Sequence, residues 1–356
     1  MSRSFAVFAS VITLVFATPA FAHHPGGAGN AGAGGPIITI PAETLEAGHF
    51  ATAVWYEYIR FGALADAALI NAASKHIHAH SIATVERAVA AFAYGITDDL
   101  QVALRVPNVR RTDIREGHHA HVAGLAINSV DARGDSTGVG DATLLAQWRF
   151  HNDLIASQQA ALLIGVKMPT GTTNTRDQLG QLFETEFQPG SGSWDVLAGL
   201  AATQRFGKFS IDANVLYVFA GTGAQDTNLG DRFLYNAAVS FRLIGSSADP
   251  RSALAHAGHV HKTPARKAPA APVVETATLS VDATLELNGE SHAKEQTAGV
   301  KDNNSGGNTV FLSPGIRAAY GKGSGFVSVG IPVVNEQNGL QSKPEYRVLS
   351  GLALAF

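Results

Sequence analysis

The residues best suited to chemistry are histidines, and they come in knots. KHIHAHS places His76, His78 and His80 at strict period two, HHAH holds His118, His119 and His121, and HAGHVH holds His256, His259 and His261. A further pair, His23 and His24, follows the N-terminal apolar run. On an extended chain, period two puts imidazoles on one face, a geometry that suits zinc, copper or nickel. A fixed metal centre needs a completed shell, and no nearby Asp or Glu motif supplies one; Glu116 is the carboxylate nearest HHAH. Two readings stand: solvated, pH-sensitive loop histidines, or sites that hold Zn, Cu or Ni loosely. Enzyme chemistry is not indicated. There is no GxSxG elbow, no HExxH and no phosphate-binding loop. With no cysteine there is neither a thiolate nor a disulfide framework.

The elements that carry these histidines follow from the rest of the chain. Arg3, the apolar run from Phe5 to Thr18 and the small-x-small Ala20-Phe21-Ala22 make residues 1–22 a secretory signal peptide, cleaved after Ala22. The run is too short to span a bilayer, which takes about 20 residues. No later stretch is long and apolar enough to do so, which excludes a helical membrane protein. A net charge of -3 gives no basic surface for nucleic acid. Residues 23–47 open with the low-complexity HHPGGAGNAGAGG and are expected to form a Gly-rich periplasmic segment.

From residue 48 to 356 the chain alternates. Phe209, Ile211, Ala213, Val215, Tyr217 and Phe219 interleave with Ser210, Asp212, Asn214 and Leu216, and similar patterns recur around 99–110, 231–243 and 276–288. Period two with one apolar face is the signature of a strand. About twelve such segments occur, at roughly 48–61, 81–95, 99–110, 138–150, 157–168, 194–206, 208–219, 231–243, 276–288, 309–320, 325–332 and 345–356. Their connections alternate between short and long, as in outer-membrane barrels with tight periplasmic turns and long external loops. The exception is the His/Ala/Pro-rich stretch 245–275, which this topology places in the periplasm. A secreted β-sandwich would also alternate. The final EYRVLSGLALAF, ending on Phe356, instead has the form of the signal read by the barrel assembly machinery. The expected fold is therefore all-β, a transmembrane antiparallel β-barrel of about twelve strands in the bacterial outer membrane, surrounded by its lipids.

If the apolar faces meet lipid, the polar faces line the lumen, because charge in hydrocarbon is costly. That set includes Arg105, Asp141, Arg149, Asp195, Arg205, Asp212, Arg232, Arg242, Asp282, Glu286 and Arg317. They either pair with one another and fill the lumen or set its selectivity. Asp141 and Asp195 are expected as partners for arginine. Two external loops could fold over the mouth: ALADAALINAAS after the first strand, and TRDQLGQLFETEF within 169–193. By this topology His76 to His121 lie outside the cell. His23, His24 and the 256–261 knot lie in the periplasm, so the knots cannot share one site.

Four stretches, YGITDDLQVALRVPNVRR (94–111), GVGDATLLAQWRF (138–150), GVKMPTGTT (165–173) and FQPGSGSWDVLAGLA (187–201), resemble the meta-pathway phenol degradation family of outer-membrane transporters. The resemblance is close over about 80–245 and looser in the last strands. It implies an outer-membrane barrel that passes small, often aromatic, molecules. The combined expectation is an outer-membrane channel for a small solute, either an aromatic or hydrophobic compound or a transition-metal ion. The alternative is a non-conducting, metal-binding surface protein. The outer-membrane phospholipases, also twelve-stranded, carry a His-x-Ser-Asn-Gly stretch that is absent here.

Overall fold

The computed structural model describes residues 35–122, 125–245 and 278–356. Residues 1–22, expected as a signal peptide, His23, His24 and the stretch with His256, His259 and His261 lie outside them. The described chain runs β1 (Phe50–Gly62), α1 (Asp66–Ser74), β2 (His80–Ser81), β3 (Thr84–Thr97), β4 (Leu100–Val122), β5 (Leu125–Val139), β6 (Thr143–Asp153), β7 (Gln158–Lys167), β8 (Asp195–Phe206), β9 (Phe209–Phe219), β10 (Thr227–Asn228), β11 (Arg232–Ile244), β12 (Leu279–His292), β13 (Gln296–Thr297), β14 (Val300–Lys301), β15 (Gly307–Tyr320), β16 (Gly323–Gln337) and β17 (Lys343–Ala355).

The wall is antiparallel and closed: β1 pairs with both β3 and β17, and β4 pairs with β6. β5 and β6 meet successive stretches of β4 and share one position, so the barrel has twelve staves. Closure matters in lipid because an open edge would leave backbone groups without partners. β9 shows how the sequence builds the wall: Phe209, Ile211, Val215 and Phe219 face outward and are exposed, while Ser210, Asp212 and Asn214 are buried inside. The short turns sit at the periplasmic end. Two of them, at Gly207 and Gly321, place glycine at a φ of 57°, the left-handed region that a two-residue hairpin favours glycine to occupy.

All twelve expected segments are strands. One difference concerns the third and fourth. β4 runs on to Val122 and pairs with β5, so 110–139, expected as a loop, is a hairpin rising beyond the membrane. His118, His119 and His121 therefore sit in a strand, not in a loop. The hairpin escapes pattern reading because its buried positions are mostly not apolar: Ile114 is covered, but so are Arg111, Gly117 and Ser136. It is held by backbone hydrogen bonds and has no apolar alternation to betray it.

A second difference concerns residues 35–47, which do not stay beneath the wall as a periplasmic lead-in. They thread the lumen. The amides of Ile37, Ile38 and Thr39, and the Thr39 hydroxyl, all donate to the carboxylate of Glu286, at 2.6 to 3.1 Å. Ile40 N donates to Asn214 Oδ1 at 2.8 Å, Ala42 N to Thr203 Oγ1 at 2.9 Å and Leu45 N to Gln101 Oε1 at 2.8 Å. An irregular segment inside a barrel must have its polar groups satisfied, and the inward polar residues of the wall do this. The segment also explains why Leu145, Leu163, Leu197, Leu216 and Leu234 point inward, where a water-filled pore would leave them exposed: they pack on Ile40 and Ala42.

Candidate functional site: the mouth pocket and its histidine rim

Above the plug the lumen opens into a cavity of about 240 Å³. Glu57, Arg87, Asn288 and Arg347 border it, as do the apolar side chains Ile59, Phe61, Ile82, Phe187 and Phe311, and His78, His80, Glu186, Glu295 and Asp302. Arg347 donates to Asn288 Oδ1 at 2.7 Å and lies 4.5 Å over the Phe311 ring. Arg87 pairs with Glu57. These buried charges sit in the low-dielectric interior and persist because they are paired.

The loop 168–194 forms one wall of this cavity. Phe183 and Phe187 are buried against Ile59, Ile82, Val85 and Ile114, so part of the loop folds inward, through a short 3-10 turn at Thr185–Phe187, while Leu179 and Leu182 stay exposed. The loop's ends are tied by buried charge. Lys167 Nζ lies 2.6 Å from Asp195 and 3.4 Å from Asp141, and Asp141 accepts hydrogen bonds from the amides of Gly171 and Ser191. Asp141 and Asp195 are thus structural partners as expected, but of a lysine. Gly171 and Gly190 pack backbone to backbone beside Asp141, where an added Cβ would come within 2.6 Å of the other glycine's Cα. That contact gives the KMPTG and QPGSG stretches a shared mechanical purpose.

At the rim, β2 pairs with β4 so that His80 faces Glu116 across the ladder. His78 Nε2 lies 3.0 Å from Glu116 Oε1 and 3.4 Å from Glu184 Oε1; His80 Nε2 lies 3.3 Å from Glu184 Oε2. His80 Nδ1 is 2.9 Å from Glu186 Oε1. Hydrogen bonding to Glu116 raises the His78 pKa to about 9, whereas burial pushes His80 below its ordinary value. Burial pushes Glu116 upward, but the His78 hydrogen bond and nearby positive charge hold it low. Burial raises Glu184 and Glu186, and burial together with Glu186 lifts Glu295 to about 9. Sequence reading expected no carboxylates to complete a shell on these histidines. The fold brings Glu116 and Glu184 beside them, one from β4 and one from a loop more than a hundred residues along the chain from His78.

The remaining histidines of the rim divide. His76 packs edge-on against His119 with ring centroids 4.5 Å apart, and His119 Nε2 lies 3.3 Å from His121 Nε2. His118 stands apart, 3.8 Å from Asp131.

The lumen candidates are dispersed. Glu286 holds the plug; Arg317 donates to Pro36 O at 2.9 Å, and Arg205 pairs with Glu43. Arg242 pairs with Asp282, and Asp212 accepts from Thr203 and Ser210. Arg149 is bound to Asp99 at the periplasmic turn and Arg105 is buried in the wall's interior. Arg232 alone of this set reaches the mouth pocket. Sequence reasoning missed Glu57, Arg87 and Lys167. The parity of their strands was a usable signal: Glu57 lies in step with inward Ile59, and Lys167 with inward Leu163.

Residues 99–270 match the family model described as "Putative MetA-pathway of phenol degradation". Among solved structures, an outer-membrane channel (COG4313) from Pseudomonas putida F1 is similar at 17% identity, covering 88% of this chain and 98% of that one, with a TM-score of 0.52. A monoaromatic hydrocarbon channel, CymD, aligns at 10% identity over 88% of this chain and 89% of that one, with a TM-score of 0.40. No curated protein sequence matches. The resemblance read from the sequence holds over 99–270, and the fold is that of an outer-membrane channel barrel.

Proposed function

We propose, for a barrel whose residues 99–270 match the phenol-degradation family, that it is an outer-membrane channel for small hydrophobic molecules of the single-ring aromatic class. One observation carries this reading: the mouth cavity of about 240 Å³, with Ile59, Phe61, Ile82, Phe187 and Phe311 among its lining. An apolar cavity of roughly 150 Å³ is enough to hold benzene, so a phenol-sized ring fits with room for a substituent. Polar groups in the same lining, Arg87 paired with Glu57 and Arg347 hydrogen-bonded to Asn288, offer contacts to a ring hydroxyl.

The plug makes free ion flow a poor description of the resting barrel, because residues 36–46 occupy the lumen beneath the cavity. A transition-metal solute gains no support from the lumen, whose acidic groups Glu286, Asp282 and Asp212 are already engaged by backbone amides, arginine and hydroxyls. Recognition by the barrel assembly machinery through Phe356 belongs to this proposal; in the closed barrel its ring stacks on Phe50 at 4.8 Å. The deciding measurement is the rate at which a neutral phenol-class solute crosses the outer membrane of cells with and without this chain. The expected result is faster phenol uptake with no matching gain for a sugar of similar size. Equal phenol rates in the two strains overturn the proposal.

A further inference from the structure

His78 and His80 follow α1, Glu116 projects from β4, and Glu184 comes from the loop that walls the mouth pocket. One donor atom from each lies within 4.8 Å of all the others. The pairs straddle what a tetrahedral ion requires. Ligand bonds of about 2.0–2.2 Å put donor atoms about 3.3–3.6 Å apart; His78 Nε2 and His80 Nε2 stand 3.0 and 3.9 Å from Glu116 Oε1, and 3.4 and 3.3 Å from Glu184 Oε1 and Oε2 in turn. Two imidazoles with two carboxylates are borderline ligands, suited to zinc and its first-row neighbours; calcium and magnesium prefer all-oxygen shells.

The surroundings are those of a ligand set. Glu186 sits 2.9 Å from His80 Nδ1, on the far side of the ring from the Nε2 that faces Glu184. A carboxylate on the second ring nitrogen fixes the tautomer and orientation of a ligating histidine. Arg133 lies 3.4 Å from the second oxygen of Glu116. His80 and Glu116 are cross-strand partners held by the β2–β4 ladder, so half of the set is preorganised. His78 and Glu184 are about half-exposed, which leaves a path for an ion from outside the cell.

We propose that His78, His80, Glu116 and Glu184 bind one transition-metal dication of the Zn²⁺ class and that the ion clamps the 168–194 loop over the mouth pocket. The clamp follows from where the ligands reside. Three are anchored to β4 and the segment leading into β2; the fourth, Glu184, lies three residues before Phe187, which is buried in the pocket wall. Bound metal therefore ties the loop side of the mouth to the strand side and slows passage. That last consequence rests on the channel reading above; the site itself does not.

The test uses the full chain in detergent micelles. Calorimetry with Zn²⁺ is compared for the parent, for the His78→Ala/His80→Ala double variant, for Glu184→Gln and for the control His119→Ala/His121→Ala. Correct folding of each is checked by resistance to unfolding in SDS. The expected loss of affinity is about 100-fold for the double histidine variant and about 10-fold or more for Glu184→Gln, with the control unchanged. Co²⁺ in place of Zn²⁺ gives the intense visible bands of a tetrahedral ion in the parent and weak ones in Glu184→Gln. Zn²⁺ slows trypsin cleavage after Arg176, within the loop, in the parent and the control but not in the ligand variants. Binding that survives Glu184→Gln at full strength, or bound Zn²⁺ that leaves the cleavage rate unchanged, overturns the clamp. A barrel that binds Zn²⁺ through Glu184 yet passes no phenol-class solute upholds the site and overturns the channel reading.

Discussion

The lower lumen and the mouth are built on the same strand lattice and filled in opposite ways. Below, inward carboxylates and amides of the wall receive a stretch of backbone: Glu286 takes three amides and a hydroxyl from residues 37–39. Above, inward charges find other side chains: Arg87 finds Glu57 with a cavity beside them, and Lys167 finds Asp195 at the loop ends. An inward charge on a barrel strand is therefore not in itself a mark of a pore. What matters is whether a threaded segment fills the lumen beside it, as it does at Glu286, or leaves space there, as it does at Arg87 and Glu57.

The largest expected effect comes from breaking the lower arrangement. Hydrogen bonds to a charged group contribute about 1.5–3 kcal/mol each, and Glu286 gathers four donors. In Glu286→Ala the segment should leave the lumen. Planar-bilayer recordings should show open barrels at least about tenfold more often, since even one such bond is worth that much. Unchanged conductance would mean the plug is held by its apolar contacts with Leu163 and Leu216 instead.

Next in size is the buried charge at the loop ends. Lys167→Met strands Asp141 and Asp195, both about 3% exposed. Removing one partner of a buried pair costs about 3–5 kcal/mol. Urea unfolding in lipid vesicles should show that loss, with conductance as in the parent. A drop below about 1 kcal/mol would show that water reaches these groups. Smaller and more local is Phe187→Ala. It removes a buried ring at a cost of about 3 kcal/mol, taken from docking of the loop and not from the wall. Trypsin should then cut after Arg176 faster while the urea midpoint barely moves. The reverse pattern would make the loop part of the barrel's folding unit.

The barrel was legible in the sequence because lipid enforces strict alternation. In β9 every outward residue from Phe209 to Phe219 was identifiable from period two alone. The plug was not. Ile37 to Ala42 form too short a run to show a period, and the clue lay elsewhere, in Leu163, Leu216 and Leu234 occupying positions that should have been wet. The rim was half legible. His78 and His80 drew attention by type and spacing, but Glu184 is joined to them only by the fold, and no local pattern reports a contact of that kind. Glu116 lay within view and was discounted, since the β2–β4 ladder that places it opposite His80 involves only two residues of β2.

The smallest effect isolates burial from geometry. Arg110 and Asp135 on the β4–β5 hairpin are 2.8 Å apart, nearly the separation of Lys167 and Asp195 at 2.6 Å, yet both are about 40% exposed. In water the attraction is offset by hydration and by the freedom of two long side chains, so exposed pairs contribute about 0–1 kcal/mol. Arg110→Ala should shift the urea midpoint little, and whatever shift there is should vanish in high salt, where charges separated by more than a few ångströms of water are screened. Lys167→Met should keep its full effect under the same salt. If the two variants proved equally costly, or equally sensitive to salt, burial would not be what separates the two pairs, and the contrast between the exposed positions of the hairpin and the buried charges at the loop ends would fail.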